Sequence, residues 1–197
     1  MASNRTRPDP PRKPRNKKVR KREYLERDQV AALMKAANQL GRLGHRDATM
    51  ILLAFRHGLR AKELTSMLDW HQVDLVGRTL AVLRCKGSKD TEHTLEKDEV
   101  AALKKLGPQA SGPVFVNERG GRVSENSFHK IVQRAGIKAG LGPHVHPHML
   151  RHSCGYDMTS RGIPTRYIQE WLGHRNIQHT VRYTELGPGR FKKIKMW

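Results

Sequence analysis

The sequence predicts an α+β fold that is mainly α, with one small antiparallel β-sheet. Three observations carry that expectation. Apolar residues recur at helical spacing over most of the chain. One strand-like run, Thr79-Leu-Ala-Val-Leu-Arg84, is followed by a turn and a second run, Thr91–Leu95. This hairpin lies between helical stretches, and no internal repeat is visible.

The elements follow in order. Val30, Leu33, Met34 and Ala37 share one face of a helix over 27–40, which Gly41 and Gly44 break. Ala48, Ile51, Leu52 and Phe55 define a second helix over 46–57, ended by Gly58. A short helix is expected at 61–67. The turn Lys86-Gly-Ser-Lys-Asp90 joins the two strands, and Val73–Leu75 is a candidate third. Helices return at 97–106, 124–140, 147–161, 164–172 and 176–184. Pro108, Gly112 and Pro113 mark a loop among them.

A chain of 197 residues is long enough for one domain with a real core. It has no run of eighteen apolar residues, so no membrane span is expected. Its charged start lacks the apolar stretch of a secretory signal. Cys85 and Cys154 stand far apart without CxxC spacing, which fits two reduced thiols in a cytoplasmic protein. The net charge of +20 favours a polyanionic partner, and nucleic acid rewards Lys and Arg laid along its phosphates. On composition alone, a basic ribosome-associated or membrane-surface protein fits as well.

Residues 1–22 stand apart. They hold ten basic residues (Arg5, Arg7, Arg12, Lys13, Arg15, Lys17, Lys18, Arg20, Lys21 and Arg22) against one Asp, with four Pro and almost nothing apolar. That stretch carries +9 and cannot bury a core, so it reads as a disordered basic arm whose cations contact DNA phosphates. The remaining residues still carry +11.

Several residues are suited to phosphate chemistry. His148 and Arg151 are three apart on an expected helix and share a face. An Arg fork and a His can grip a phosphate together. Arg60 follows the helix break in Arg56-His-Gly-Leu-Arg-Ala-Lys-Glu63, and Glu63 is placed to fix it or the next helix start. Lys86 sits at the hairpin turn. Tyr183 follows His174 by nine residues; as a nucleophile it needs cations nearby, because a free phenol titrates near pH 10. Each residue alone has an ordinary structural reading: surface ion pair, exposed turn Lys, packed aromatic. His144, His146, His148 and His152 also suggest zinc. Pro147 interrupts that run, however, and no carboxylate or Cys stands at a useful spacing, so no metal is expected.

Together and in this order, these residues resemble the tyrosine recombinase (phage integrase) family. The likeness runs through Gly-Leu-Arg60-Ala-Lys-Glu, Lys86-Gly-Ser-Lys, His148-Met-Leu-Arg151-His, Leu-Gly-His174 and Tyr183, from about residue 24 to 186. Each motif is weak; five in the family's order are specific. The longer strings His-Pro-His-Met-Leu-Arg-His-Ser-Cys-Gly-Tyr156 and Leu-Gly-His-Arg-Asn-Ile-Gln-His-Thr-Val-Arg-Tyr183-Thr are most similar to bacterial fimbrial phase-variation recombinases, which invert a short DNA segment.

The resemblance implies a tyrosine recombinase catalytic domain over 23–186. In it Tyr183 attacks the scissile phosphate and forms a 3′-phosphotyrosyl link. Arg60 and Arg151 hold the non-bridging oxygens, Lys86 protonates the leaving 5′-oxygen, His148 moves a proton, and His174 donates a hydrogen bond to the phosphate. The implied partner is double-stranded DNA with inverted-repeat sites. A homotetramer on DNA, accessory DNA-bending proteins and a nucleoid-associated place in a bacterial cytoplasm follow. The separate DNA-clamping domain of larger relatives is not expected here, and the arm takes over part of its work. Phe191, Ile194 and Trp197 give the segment 187–197 an apolar stripe suited to docking on a neighbouring subunit or to covering this domain's own surface. Excision or integration of a mobile element, a type IB topoisomerase-like monomer, and a DNA-binding protein that does not cut remain the alternatives.

Overall fold

A computed structural model of the chain describes residues 23–85 and 88–184. The basic arm with its ten cations, Lys86, and the segment 187–197 lie outside the described residues.

The chain forms a helical body with a small sheet at one side. Helix α1 (Arg27–Asn38) starts at a capping box between Glu26 and Gln29 and buries Val30, Leu33, Ala36 and Ala37. Helix α2 (Gly44–Arg56) packs against it through Met50, Ile51, Leu53 and Ala54. A single π-helical turn (Glu63–Met67) and a 3₁₀ turn (Trp70–Gln72) lead into the sheet. Its strands β1 (Val73–Asp74), β2 (Thr79–Val82) and β3 (Thr91–Thr94) run antiparallel in that order, with Leu80 opposite His93. Helices α3 (Lys97–Lys105), α4 (Glu125–Lys138), α5 (Pro147–Ser160), α6 (Thr165–Leu172) and α7 (Gln178–Thr184) complete the described chain.

The expected α+β class, mainly α, is therefore what the chain adopts. The differences are local. Gly44, read as a breaker, is the first residue of α2. The short helix expected at 61–67 is mostly a π turn, which widens the backbone next to Arg60. The strand run stops at Val82, so Arg84 leaves the sheet instead of pairing in it.

Two apolar clusters organise the interior. The larger joins α1, α2, α3, α4, the sheet and the start of α5, through residues such as Leu33, Ile51, Leu80, Leu103, Phe128 and Leu150. Full burial of each such side chain contributes about 1.5–3 kcal/mol. The smaller contains Cys154, Ile168, Leu172 and Tyr183, with Tyr156, Met158, Ile163 and Trp171 packed on it. Helix α5 belongs to both. Pro147 suits its first turn, where no backbone donor is needed, and extended His146 precedes it.

Candidate active site

The site is assembled where α2 ends. The chain reverses at Gly58, whose φ of +57° favours glycine, and a Cβ there would lie 2.3 Å from Leu172 Cδ2. Arg60 follows, and the π turn then presents the buried carboxylate of Glu63. Glu63 Oε2 accepts the Arg60 backbone N–H at 2.9 Å, and Oε1 accepts Arg60 Nη1 at 2.5 Å. It also accepts Arg84 Nη1 at 2.9 Å and the backbone N–H of Cys85 at 3.1 Å. Burial pushes this carboxyl up, but Arg84 and Arg60 outweigh it and hold the group below its ordinary value.

Two buried guanidiniums lock this corner. The Arg84 side chain has no exposed surface. It donates to the carbonyls of His57 (3.2 Å), Gly58 (3.4 Å) and Trp171. Its Nε is buried without a hydrogen-bond partner among the described residues. Arg151, from α5, is 2% exposed and donates to the carbonyls of Gly58 and, at 2.6 Å, Leu172. The end of α2 and the end of α6 therefore fix its plane. These bonds use two of the five N–H groups a guanidinium carries. Burial, then Arg60 and Arg84, bring Arg151 down to about 10, so it stays charged at neutral pH.

Tyr183 enters this cationic corner from α7. It is 3% exposed, and its ring lies against α5 at Gly155, where a Cβ would come within 2.7 Å of it. Its hydroxyl is 3.0 Å from His152 Nδ1. The His174 ring stacks at 6.3 Å from the phenol, and His174 Nδ1 bonds Thr180 Oγ1 at 2.9 Å. Burial raises the phenol's pKa, while Arg151 and Arg182 oppose the rise. Burial first, then neighbouring cations, hold His174 and His152 down to about 3. His148 is exposed on α5, with its ring 4.4 Å from that of His152. It too is lowered, by burial of its ring and then by Arg151. All three imidazoles are thus neutral at pH 7.

The structure therefore brings Arg60, Arg151, His174 and Tyr183 to one corner, with His148 at its edge. Cys85 and Ser88, the described residues on either side of Lys86, reach the Glu63–Arg60 pair; Ser88 Oγ lies 3.4 Å from both terminal nitrogens of Arg60. Sequence reasoning missed two members. Arg84 was read as a strand end. His152 enters the sequence reading only as a zinc candidate, although its spacing of four from His148 puts the two on one helix face. Among the described residues, no three His, Cys, Asp or Glu side chains converge as a metal-binding set. Also among them, no helix is long and apolar enough to cross a membrane.

Comparison with known proteins gives the chain its family. The sequence profile described as "Phage integrase family" matches residues 23–189. The chain belongs to the phage integrase family, the tyrosine site-specific recombinases. Among its relatives is the type 1 fimbriae regulatory protein FimE of Escherichia coli K12. It is 42% identical over 179 residues, which cover 87% of this chain and 89% of FimE. The type 1 fimbriae regulatory protein FimB of the same strain is 41% identical, over 89% of this chain and 90% of FimB. Tyrosine recombinase XerC of Actinobacillus pleuropneumoniae is 38% identical over 76% of this chain but 50% of its own length. The crystal structure of XerA recombinase superposes with a TM-score of 0.73 at 27% identity, over 93% of this chain and 65% of XerA. The chain thus spans half to two thirds of these larger recombinases, and nearly nine tenths of the fimbrial regulators. A XerH recombinase solved on its difH substrate shares the fold, with a TM-score of 0.68 at 23% identity.

Proposed function

We propose that the chain cleaves and rejoins double-stranded DNA at inverted-repeat sites through a 3′-phosphotyrosyl intermediate, inverting the segment between them. One observation carries this reading: the Tyr183 phenol lies in a corner built from Arg151, Arg60 and three neutral histidines. That is a nucleophile beside a phosphate clamp. The family relationship and the fimbrial regulators support it, and so does XerH, solved with DNA.

In this reaction the Tyr183 oxygen attacks phosphorus and its proton passes to His148. The bond from phosphorus to the 5′-oxygen breaks, and Lys86 gives that oxygen a proton. Arg60, Arg151 and His174 hold the non-bridging oxygens. A preorganised donor of this kind lowers the barrier by about 3 kcal/mol. Rejoining reverses the steps with a 5′-hydroxyl from another strand, so the phosphodiester's energy is kept and no cofactor is consumed. The contacts of Cys85 and Ser88 with Glu63 and Arg60 support the role given to Lys86 between them. The basic arm adds phosphate contacts; deleting 1–22 weakens binding and flattens its salt dependence. Assembly as a homotetramer on DNA, with accessory DNA-bending proteins, in a bacterial cytoplasm at the nucleoid, completes the reading.

The test uses nicked duplexes carrying the inverted repeats that flank the gene, analysed on denaturing gels. The expected result is a covalent protein–DNA adduct that Tyr183→Phe abolishes while DNA binding persists. An adduct that survives in Tyr183→Phe overturns the assignment. Tight binding with no adduct favours the non-cutting reading.

A further inference from the structure

His152 is buried between two groups of known hydrogen-bonding character. Its Nδ1 lies 3.0 Å from the Tyr183 hydroxyl, and its Nε2 lies 3.2 Å from Arg182 Nη2. A guanidinium has only donors, so Nε2 must accept. A neutral imidazole carries one N–H, and with Nε2 accepting, that hydrogen is on Nδ1. Nδ1 therefore donates to the phenol oxygen. An imidazolium in the same place would set an N–H of Nε2 against an N–H of Arg182. Burial, then His148, Arg182, Arg151 and His146, hold the ring's pKa down to about 3, which agrees with the neutral form.

We propose that His152 is a further catalytic residue: a neutral Nδ1–H donor that holds the Tyr183 oxygen and stabilises it as phenolate, with Arg182 fixing the tautomer. This rests on Tyr183 being the nucleophile. The direction of the bond matters chemically. The phenol oxygen uses a lone pair on His152 and keeps its own proton for another acceptor, so His152 is not the base that removes it. When that proton passes to His148, the same Nδ1–H becomes a charge-assisted bond to phenolate and strengthens. During rejoining the phenolate is the leaving group, and the bond serves again. The Nδ1–H bond stays intact in both directions.

Two measurements test this. The first is two-bond proton–nitrogen NMR on the full chain labelled with ¹⁵N-histidine, with the His152 signals assigned by their loss in His152→Gln. The expected pattern at pH 7 is a protonated Nδ1 and an unprotonated Nε2, and Tyr183→Phe should shift Nδ1 because its acceptor is gone. A protonated Nε2 beside a bare Nδ1, or an imidazolium, overturns the inference. The second is the rate of adduct formation on the same nicked duplexes. Asn places its amide N–H where Nδ1 stands; Gln places it nearer Nε2. His152→Asn is expected to stay within about tenfold of the parent, and His152→Ala and His152→Gln to fall about a hundredfold. Equal loss in Asn and Ala, or the parent rate in Ala, overturns the inference while Tyr183 stands as nucleophile. An adduct that persists in Tyr183→Phe removes the nucleophile, and this inference with it.

Discussion

The two apolar clusters differ in what they hold and how firmly. Among the described residues the larger draws on twenty-eight buried side chains from most elements of the fold. The smaller has four, and one is Tyr183. The frame that carries Arg60 is thus anchored by a full core, while the helix that carries the phenol rests on a few contacts. Between them lies a polar joint: Arg84 and Arg151 donate to the carbonyls of residues 57, 58, 171 and 172, and Glu63 accepts from Arg84. The difference teaches a division of labour. Arg60 belongs to the larger body, and the Tyr183 phenol to the part with fewer buried apolar contacts, where local opening costs less.

Breaking the joint should have the largest effect. Arg84→Met leaves the Glu63 carboxylate buried without one of its counter-charges, which costs about 3–5 kcal/mol. A melting point lower by roughly 10 °C is expected in calorimetry; one unchanged within a degree or two would mean that Arg84 locks nothing. Gly58→Ala comes next, because its Cβ meets Leu172 at 2.3 Å and its φ is positive. A loss of about 2–3 kcal/mol is expected from denaturant unfolding. The variant should also loosen Arg151, whose acceptor moves with that carbonyl.

Gly155→Ala sharpens the comparison by touching the smaller cluster. The added methyl lies 2.7–2.9 Å from the Tyr183 ring and displaces it. A stability loss of only about 1 kcal/mol is expected, because the larger core is not involved. Covalent adduct formation should fall by more than tenfold. If activity and stability fall in proportion, the two regions are not separable. A change of pH perturbs both regions without a substitution. Burial holds His152 and His174 down to about 3 and His93 to about 2, from an ordinary 6.5. The unfolded chain binds protons that the folded chain refuses as pH falls from about 6.5 towards 3. Stability is therefore full above that window and is lost through it. The melting point at pH 5 should lie about 10 °C or more below that at pH 7; an equal value would mean that these rings are not buried neutral.

The frame was the part legible in the sequence. Apolar spacing located α1, α2 and the later helices to within a few residues, because burial of one face imposes that period. The motif residues Arg60, His148, Arg151, His174 and Tyr183 were legible through their order along the chain. The joint was not. Arg84 looks like the end of a strand until the strand stops two residues early, and its acceptors are backbone carbonyls, which leave no side-chain signature. The π turn at Glu63–Met67 has the apolar pattern of an ordinary short helix. His152 had a readable signal in its spacing from His148, but only the approach of α7 reveals what it touches.

The central claim is that the phenol of Tyr183 is the group that reacts. Tryptic digestion of the adduct followed by mass spectrometry tests it most directly. Cleavage after Arg182 and Arg190 releases residues 183–190, which contain a single tyrosine. The account requires the nucleotide remnant on that peptide, at Tyr183. A remnant on Tyr24, Tyr156 or Tyr167, or on any other side chain, would contradict it.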